Sequence, residues 1–180
     1  MNIRIICGMA LAVFAAQIVS AQDPQAFLKV TRRTSGRQAD TTWQTSYGSN
    51  SRDFTRTLTL SVFVKGMGKT APATLEWYFI AKDLESKTSY VFDSGMSDIT
   101  LDSAKPTEID ITSKELASSV QNYVALGEKV QSGSKIDGYI VRVVAGDKVL
   151  TVDASSRQLE ITGKNPAKMS QLVSSSGSNL

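Results

Sequence analysis

Residues 54–64, Phe54-Thr55-Arg56-Thr57-Leu58-Thr59-Leu60-Ser61-Val62-Phe63-Val64, alternate polar and apolar side chains with a period of two. Successive side chains of an extended chain point to opposite faces, so this period sets Leu58, Leu60, Val62 and Val64 inward and predicts a strand with one buried face. It is the clearest strand in the chain, and the same period recurs on both sides of it.

Upstream, Phe27, Leu28 and Val30 predict a short first strand, with Ala26 to Arg33 as a candidate sheet edge. Residues Arg37 to Arg52, rich in Ser, Thr, Gly and Asn, read as a long loop or irregular edge pinned by Trp43 and Tyr47. Downstream, Lys65 to Pro72 is a turn-rich connector, and Ala73 to Asp83 sets Leu75, Trp77, Phe79 and Ala81 on one face. Short strands are expected at Thr88 to Asp93, Ser97 to Leu101 and Thr107 to Ile111. Ser113 to Tyr123 reads as loop with a short helix, on the spacing of Leu116, Val120 and Tyr123. Asp137 to Val144 and Lys148 to Val152 flank Ala145-Gly146-Asp147 as a hairpin. Gln158 to Thr162 is expected as a closing strand, before a Ser-rich tail.

About seven or eight strands with frequent turns predict an all-β fold, a β-sandwich. Trp77 in mid-strand, and Tyr139 after Asp137-Gly138 at the start of a late strand, fit an immunoglobulin-like topology. In that reading Tyr139 is a tyrosine corner whose neighbouring cysteine has become Val141.

The amino terminus reads as an export signal. Met1-Asn2-Ile3-Arg4 carries one positive charge, Ile5 to Ala16 is apolar, and Val19 and Ala21 stand at −3 and −1 of a cut after Ala21. The run is shorter than the ~20 residues of a membrane span, so the mature chain is expected not to cross a membrane. Cys7 lies too early for lipid attachment, and cleavage after Gly8 would put Val13 where a type IV prepilin carries Glu. The expected organisation is a signal peptide over 1–21, an immunoglobulin-like sandwich over 22–163 and a flexible tail over 164–180.

Cys7 is the only cysteine and leaves with the signal, so no disulfide is expected. The 159 residues from Gln22 to Leu180 are long enough to bury roughly 70% of the surface of the unfolded chain without a staple. Loss of Arg4 leaves 19 basic and 17 acidic residues, interspersed, a balance of +2. Nucleic acid is therefore not an expected partner; Arg32, Arg33 and Arg37 make the nearest approach to a basic patch.

The chain has no His, which excludes His-based triads, His metal sites and His proton shuttles. Without Cys in the mature chain, zinc lacks its usual ligands as well. Gly68-Lys69-Thr70 echoes the end of a phosphate-binding loop, but Phe63 stands where that loop needs Gly. Ser132-Gly133-Ser134-Lys135 has the Ser-x-x-Lys spacing without its companion elements. Asp98 with Asp102, and Asp147 with Asp153, lack the density of a calcium loop. No catalytic residue, cofactor or metal site is assigned, and the protein is expected not to be an enzyme.

Trp77-Tyr78-Phe79-Ile80-Ala81-Lys82, Gly138-Tyr139-Ile140-Val141-Arg142-Val143 and the stretch Asp147 to Ser155 resemble a group of secreted proteins. These are similar to the immunoglobulin-like, fimbria-associated protein of a type IV pilus gene cluster in a mucin-degrading gut bacterium. The resemblance implies an envelope protein, in the periplasm, on the outer membrane surface or outside the cell, that assists pilus assembly or adhesion beside a secretin and inner-membrane partners. It supplies no catalytic residues. Two other classes compete with this binding or scaffolding role. A glycan-binding adhesin would stack sugars on Trp43, Tyr47 or Tyr90, and a secreted hydrolase would work with carboxylates.

Overall fold

A computed structural model describes residues 24–38, 42–44, 49–123 and 128–174. The signal peptide expected over 1–21, Cys7 and Tyr47 lie outside the described residues, as does the side chain of Trp43. The elements in chain order are β1 (Ala26–Gln38), β2 (Thr42–Gln44), β3 (Ser49–Gly66), β4 (Ala71–Asp83), β5 (Ser89–Leu101), β6 (Thr107–Thr112), β7 (Leu116–Tyr123), β8 (Glu128–Ala145), β9 (Lys148–Ala154), α1 (Arg157–Lys164) and α2 (Pro166–Ser174). All strand pairings are antiparallel.

The all-β sandwich expected from the alternation is the architecture found. One layer is β1, β3 and β6, with β3 in the middle; the other runs β9, β8, β4, β5. Leu58, Leu60, Val62 and Val64 of β3 are all at most 2% exposed and meet Leu75 and Phe79 of β4, Ile99 and Leu101 of β5, and Val141 and Val143 of β8. Apolar burial of this kind, at roughly 1.5–3 kcal/mol per large side chain, is what holds a chain without disulfides together. Trp77 is half-buried and packs against the same cluster.

The layers are joined because β3 and β8 are longer than the sandwich. The lower half of β3 pairs with β7, and β7 pairs with Glu128 to Gly133 of β8 before β8 continues alongside β4. Ser113 stands where β7 replaces β6 beside β3: the Leu58 N–H donates to Ser113 Oγ at 3.0 Å, and the Ser113 N–H to the Leu58 carbonyl at 2.9 Å. Where β8 changes layers, Gly133 has φ +82°, and a Cβ there would stand 2.9 Å from the Ala117 carbonyl oxygen. Left-handed backbone and a close main-chain approach together call for glycine.

Five expectations of strand and loop are corrected. The first strand is not short: β1 runs to Gln38, and much of the loop expected over Arg37 to Arg52 is strand in β1, β2 and β3. That ribbon is exposed on both faces from Arg32 to Gln38, so no alternation marks it; the backbone ladder with β3 holds it extended. The two strands expected around Gly95 are one, β5. Residues 116–123, expected as loop and short helix, form β7, whose ladder bonds come from β3 and β8 rather than from local spacing.

The closing strand expected over Gln158 to Thr162 is helix α1. Gln158-Leu159-Glu160-Ile161-Thr162 alternates, but five residues cannot separate a strand from a helix, and Ser156 decides it by accepting the Leu159 N–H as an N-cap. The tail over 164–180, expected to be flexible, holds helix α2, with Met169 only 2% exposed. Both helices cover the outer face of the four-stranded layer. Ile80 and Ile140, 0% exposed, lie outside the inter-sheet cluster, and α1 packs on β8 and β9. Gly163 makes that approach close: a Cβ there would meet Ile140 Cγ2 at 2.8 Å and Val152 Cγ1 at 2.9 Å.

Candidate functional site

Part-buried polar side chains form hydrogen-bonded clusters in two places, and both are structural. Beneath α1, the Arg142 Nε donates to Glu76 Oε2 at 2.6 Å, and the Tyr78 hydroxyl donates to the same oxygen at 2.9 Å. The guanidinium also lies 5.5 Å from the Tyr78 ring centroid and reaches the Gly163 carbonyl near the C-terminal end of α1, where the helix dipole favours a cation. Burial, and next the hydrogen bond to Glu76, raise the Tyr78 hydroxyl above its ordinary pKa.

The second cluster stands between the layers at the β1/β9 side. Tyr139 donates its hydroxyl to Asp153 Oδ1 at 2.9 Å, and its own N–H goes to Ser155 Oγ at 3.1 Å. The tyrosine corner expected at this residue therefore bonds a carboxylate on β9. Burial, followed by the Asp153 hydrogen bond, pushes the hydroxyl up to about 12, while the nearby positive charge of Arg32 acts in the opposite sense. A phenol held this firmly protonated serves as a donor and not as a base.

The third place is open. The outer face of the three-stranded layer carries a shallow groove of about 590 Å³. Pairing sets its side chains in rows across the strands: Lys29, Phe63 and Glu108 form one, and Thr31, Ser61 and Asp110 the next. Phe27, 49% exposed, meets Phe63 edge-on with ring centroids 6.3 Å apart. Lys29 thus borders the groove on β1, and Glu108 and Asp110 border it on β6.

The edge expected at Ala26 to Arg33 is an edge: β1 pairs with β3 over thirteen residues, and among the described residues no strand pairs with its other side. β6 is the opposite edge of the same layer, paired among the described residues only with β3. Arg32, Arg33 and Arg37 are all exposed on β1 but do not share a face; Arg33 and Arg37 point with Lys29, and Arg32 points with Leu28 and Val30. Tyr90 is half-buried and spends its hydroxyl on Ser134 Oγ at 2.8 Å, which ties β5 to β8. Among the described residues, no three acidic side chains are grouped to hold a metal ion, and no helix is long and apolar enough to cross a membrane.

Sequence reasoning singled out β1 and passed over Glu108 and Asp110. Their alternation with Ile109 and Ile111 was readable, but their level with Lys29 depends on the registers of two separate strand pairs. No protein-family model and no curated protein matches the chain. Among solved structures it is similar to a crystal structure from Akkermansia muciniphila, with 10% identity, a TM-score of 0.26, and coverage of 78% of this chain and 77% of that one. A likeness of that degree carries no argument about what this chain does.

Proposed function

We propose that this chain is a non-catalytic, exported binding module that engages protein partners of the cell envelope along β1, in a role accessory to type IV pilus assembly or adhesion. The observation that supports the binding role is the open side of β1, a long strand that itself carries the half-exposed Phe27. The unpaired N–H and C=O groups of such an edge are a template for an extended partner, and alternating side chains supply selectivity. Export rests on the reading of residues 1–21, and the pilus role rests on the resemblance of Trp77 to Lys82, Gly138 to Val143 and Asp147 to Ser155.

The test is genetic. In a strain lacking the gene, surface pili counted by electron microscopy and adhesion to mucin-coated wells are expected to fall, and the wild-type gene is expected to restore both. A photo-crosslinker placed at Thr31 in the restored strain should join the protein to a pilus or secretin component. Pilus number and adhesion that do not change on deletion would end this reading.

A further inference from the structure

The two open edges of the three-stranded layer carry opposite charge at the same level. β1 holds Lys29, Arg32, Arg33 and Arg37 and no carboxylate. β6, Thr107-Glu108-Ile109-Asp110-Ile111-Thr112, holds two carboxylates and no cation. Both strands pair with the same stretch of β3: Leu28 and Thr107 both face Val64, Lys29 and Glu108 both face Phe63, Thr31 and Asp110 both face Ser61, and Arg33 and Thr112 both face Thr59. Both run antiparallel to β3, so they are parallel to each other.

We propose that β1 of one molecule adds to β6 of a second copy, extending the three-stranded layer from molecule to molecule. This rests on reading β1 as a docking edge and names its occupant. A sideways translation along the sheet brings the partner's Glu108 beside Lys29 on the same face. It also places the partner's Asp110 beside Thr31, diagonally between Lys29 and Arg33. Neighbouring and diagonal positions are those at which side chains of adjacent strands interact, so opposite charges there stabilise this register.

Charge selects against the alternatives. A two-fold β1 to β1 pairing centred on Thr31 sets Lys29 against Arg33, and one centred on Arg33 sets Lys29 against Arg37. Pairing β6 with β6 brings only carboxylates together. Like charges directly opposite are destabilising, so each edge rejects its own kind. Because the contact joins two different edges, it does not close on itself; it propagates a row, with one free β1 and one free β6 at its ends. A free terminal β1 keeps partner docking compatible with the row.

Charge exchange tests this on the purified mature chain, with sedimentation velocity over a range of protein concentrations at low and at 0.5 M salt. The wild type is expected to form concentration-dependent species beyond the dimer that shrink in high salt, because exposed pairs are screened. Lys29→Glu and Glu108→Lys are each expected to weaken association about tenfold, as attraction between exposed charges becomes repulsion. The double variant, and an equimolar mixture of the two single variants, should both recover it, since each again sets Glu against Lys. Circular dichroism checks that the variants fold.

A wild type that stays monomeric throughout overturns the proposal, as does association that the single exchanges leave unchanged or that the double exchange fails to rescue. A monomeric protein whose gene deletion still abolishes pili would leave the binding role standing and remove only the second copy as occupant of β1.

Discussion

The indole of Trp77 on β4 fills the space over Gly95, its register partner on β5: a Cβ on Gly95 would stand 2.4 Å from Cζ2 and 2.7 Å from Cε2. Glycine in mid-strand weakens a ladder, and an aromatic ring laid over it from the neighbouring strand restores the covering. Gly95→Val is therefore expected to displace the indole and cost about 1–3 kcal/mol. In a Trp43→Phe background, urea unfolding followed by tryptophan emission should show a lower midpoint and a red-shifted folded spectrum.

The pair of Arg142 and Glu76 has side chains only 14% and 20% exposed. Removing one partner leaves the other charge poorly solvated beneath α1, so Arg142→Met should cost about 2–3 kcal/mol, below the full range for a completely buried pair. The double variant Arg142→Met with Glu76→Gln should cost less than the sum of the two single changes. Urea denaturation of the four proteins in the cycle measures that coupling.

The Tyr139 hydroxyl titrates at about 12 in the folded chain, above the ordinary value near 10 that it takes when unfolded. The fold therefore holds the proton that the unfolded chain releases first. This contribution to stability is complete below about pH 10 and is lost as pH rises towards 12, with a slope of at most about 1.4 kcal/mol per pH unit. Tyr139→Phe should lose that part of the alkaline slope and cost about 1–2 kcal/mol at neutral pH, because Asp153 loses its hydroxyl donor. Denaturation between pH 7 and 12 reads both effects.

Met169 is the buried residue of α2, and α2 touches α1 and β5. Met169→Ala should cost about 2 kcal/mol and release α2 locally. Amide exchange is expected to quicken through Pro166 to Ser174 while the β3 amides around Leu60 keep their protection, as befits a separately opening unit.

Much of the sandwich was legible because one-sided burial writes a period of two into the chain. Leu58 to Val64, Leu75 to Phe79 and the hairpin of β8 with β9 all announce themselves that way. The ribbon from Arg32 to Gln38 and the strand β7 did not, because a strand wet on both faces, or held by partners far along the chain, has no local signature. For α1 the sequence carried two signals, a five-residue alternation and a Ser156 cap, and the shorter pattern misled.

By itself, the sequence determined the layered β core, the absence of histidine chemistry and the cationic character of β1. Those are properties of composition and near-neighbour spacing, which folding does not alter. Only the tertiary structure decided that Trp77 covers Gly95, that α1 and α2 close the outer face over Ile140, and that Lys29 and Glu108 stand level on opposite edges of one layer. The reason is register: hydrogen-bonded ladders between residues far apart in the chain set which side chains share a row, and a shift of one residue would turn each of them to the other face.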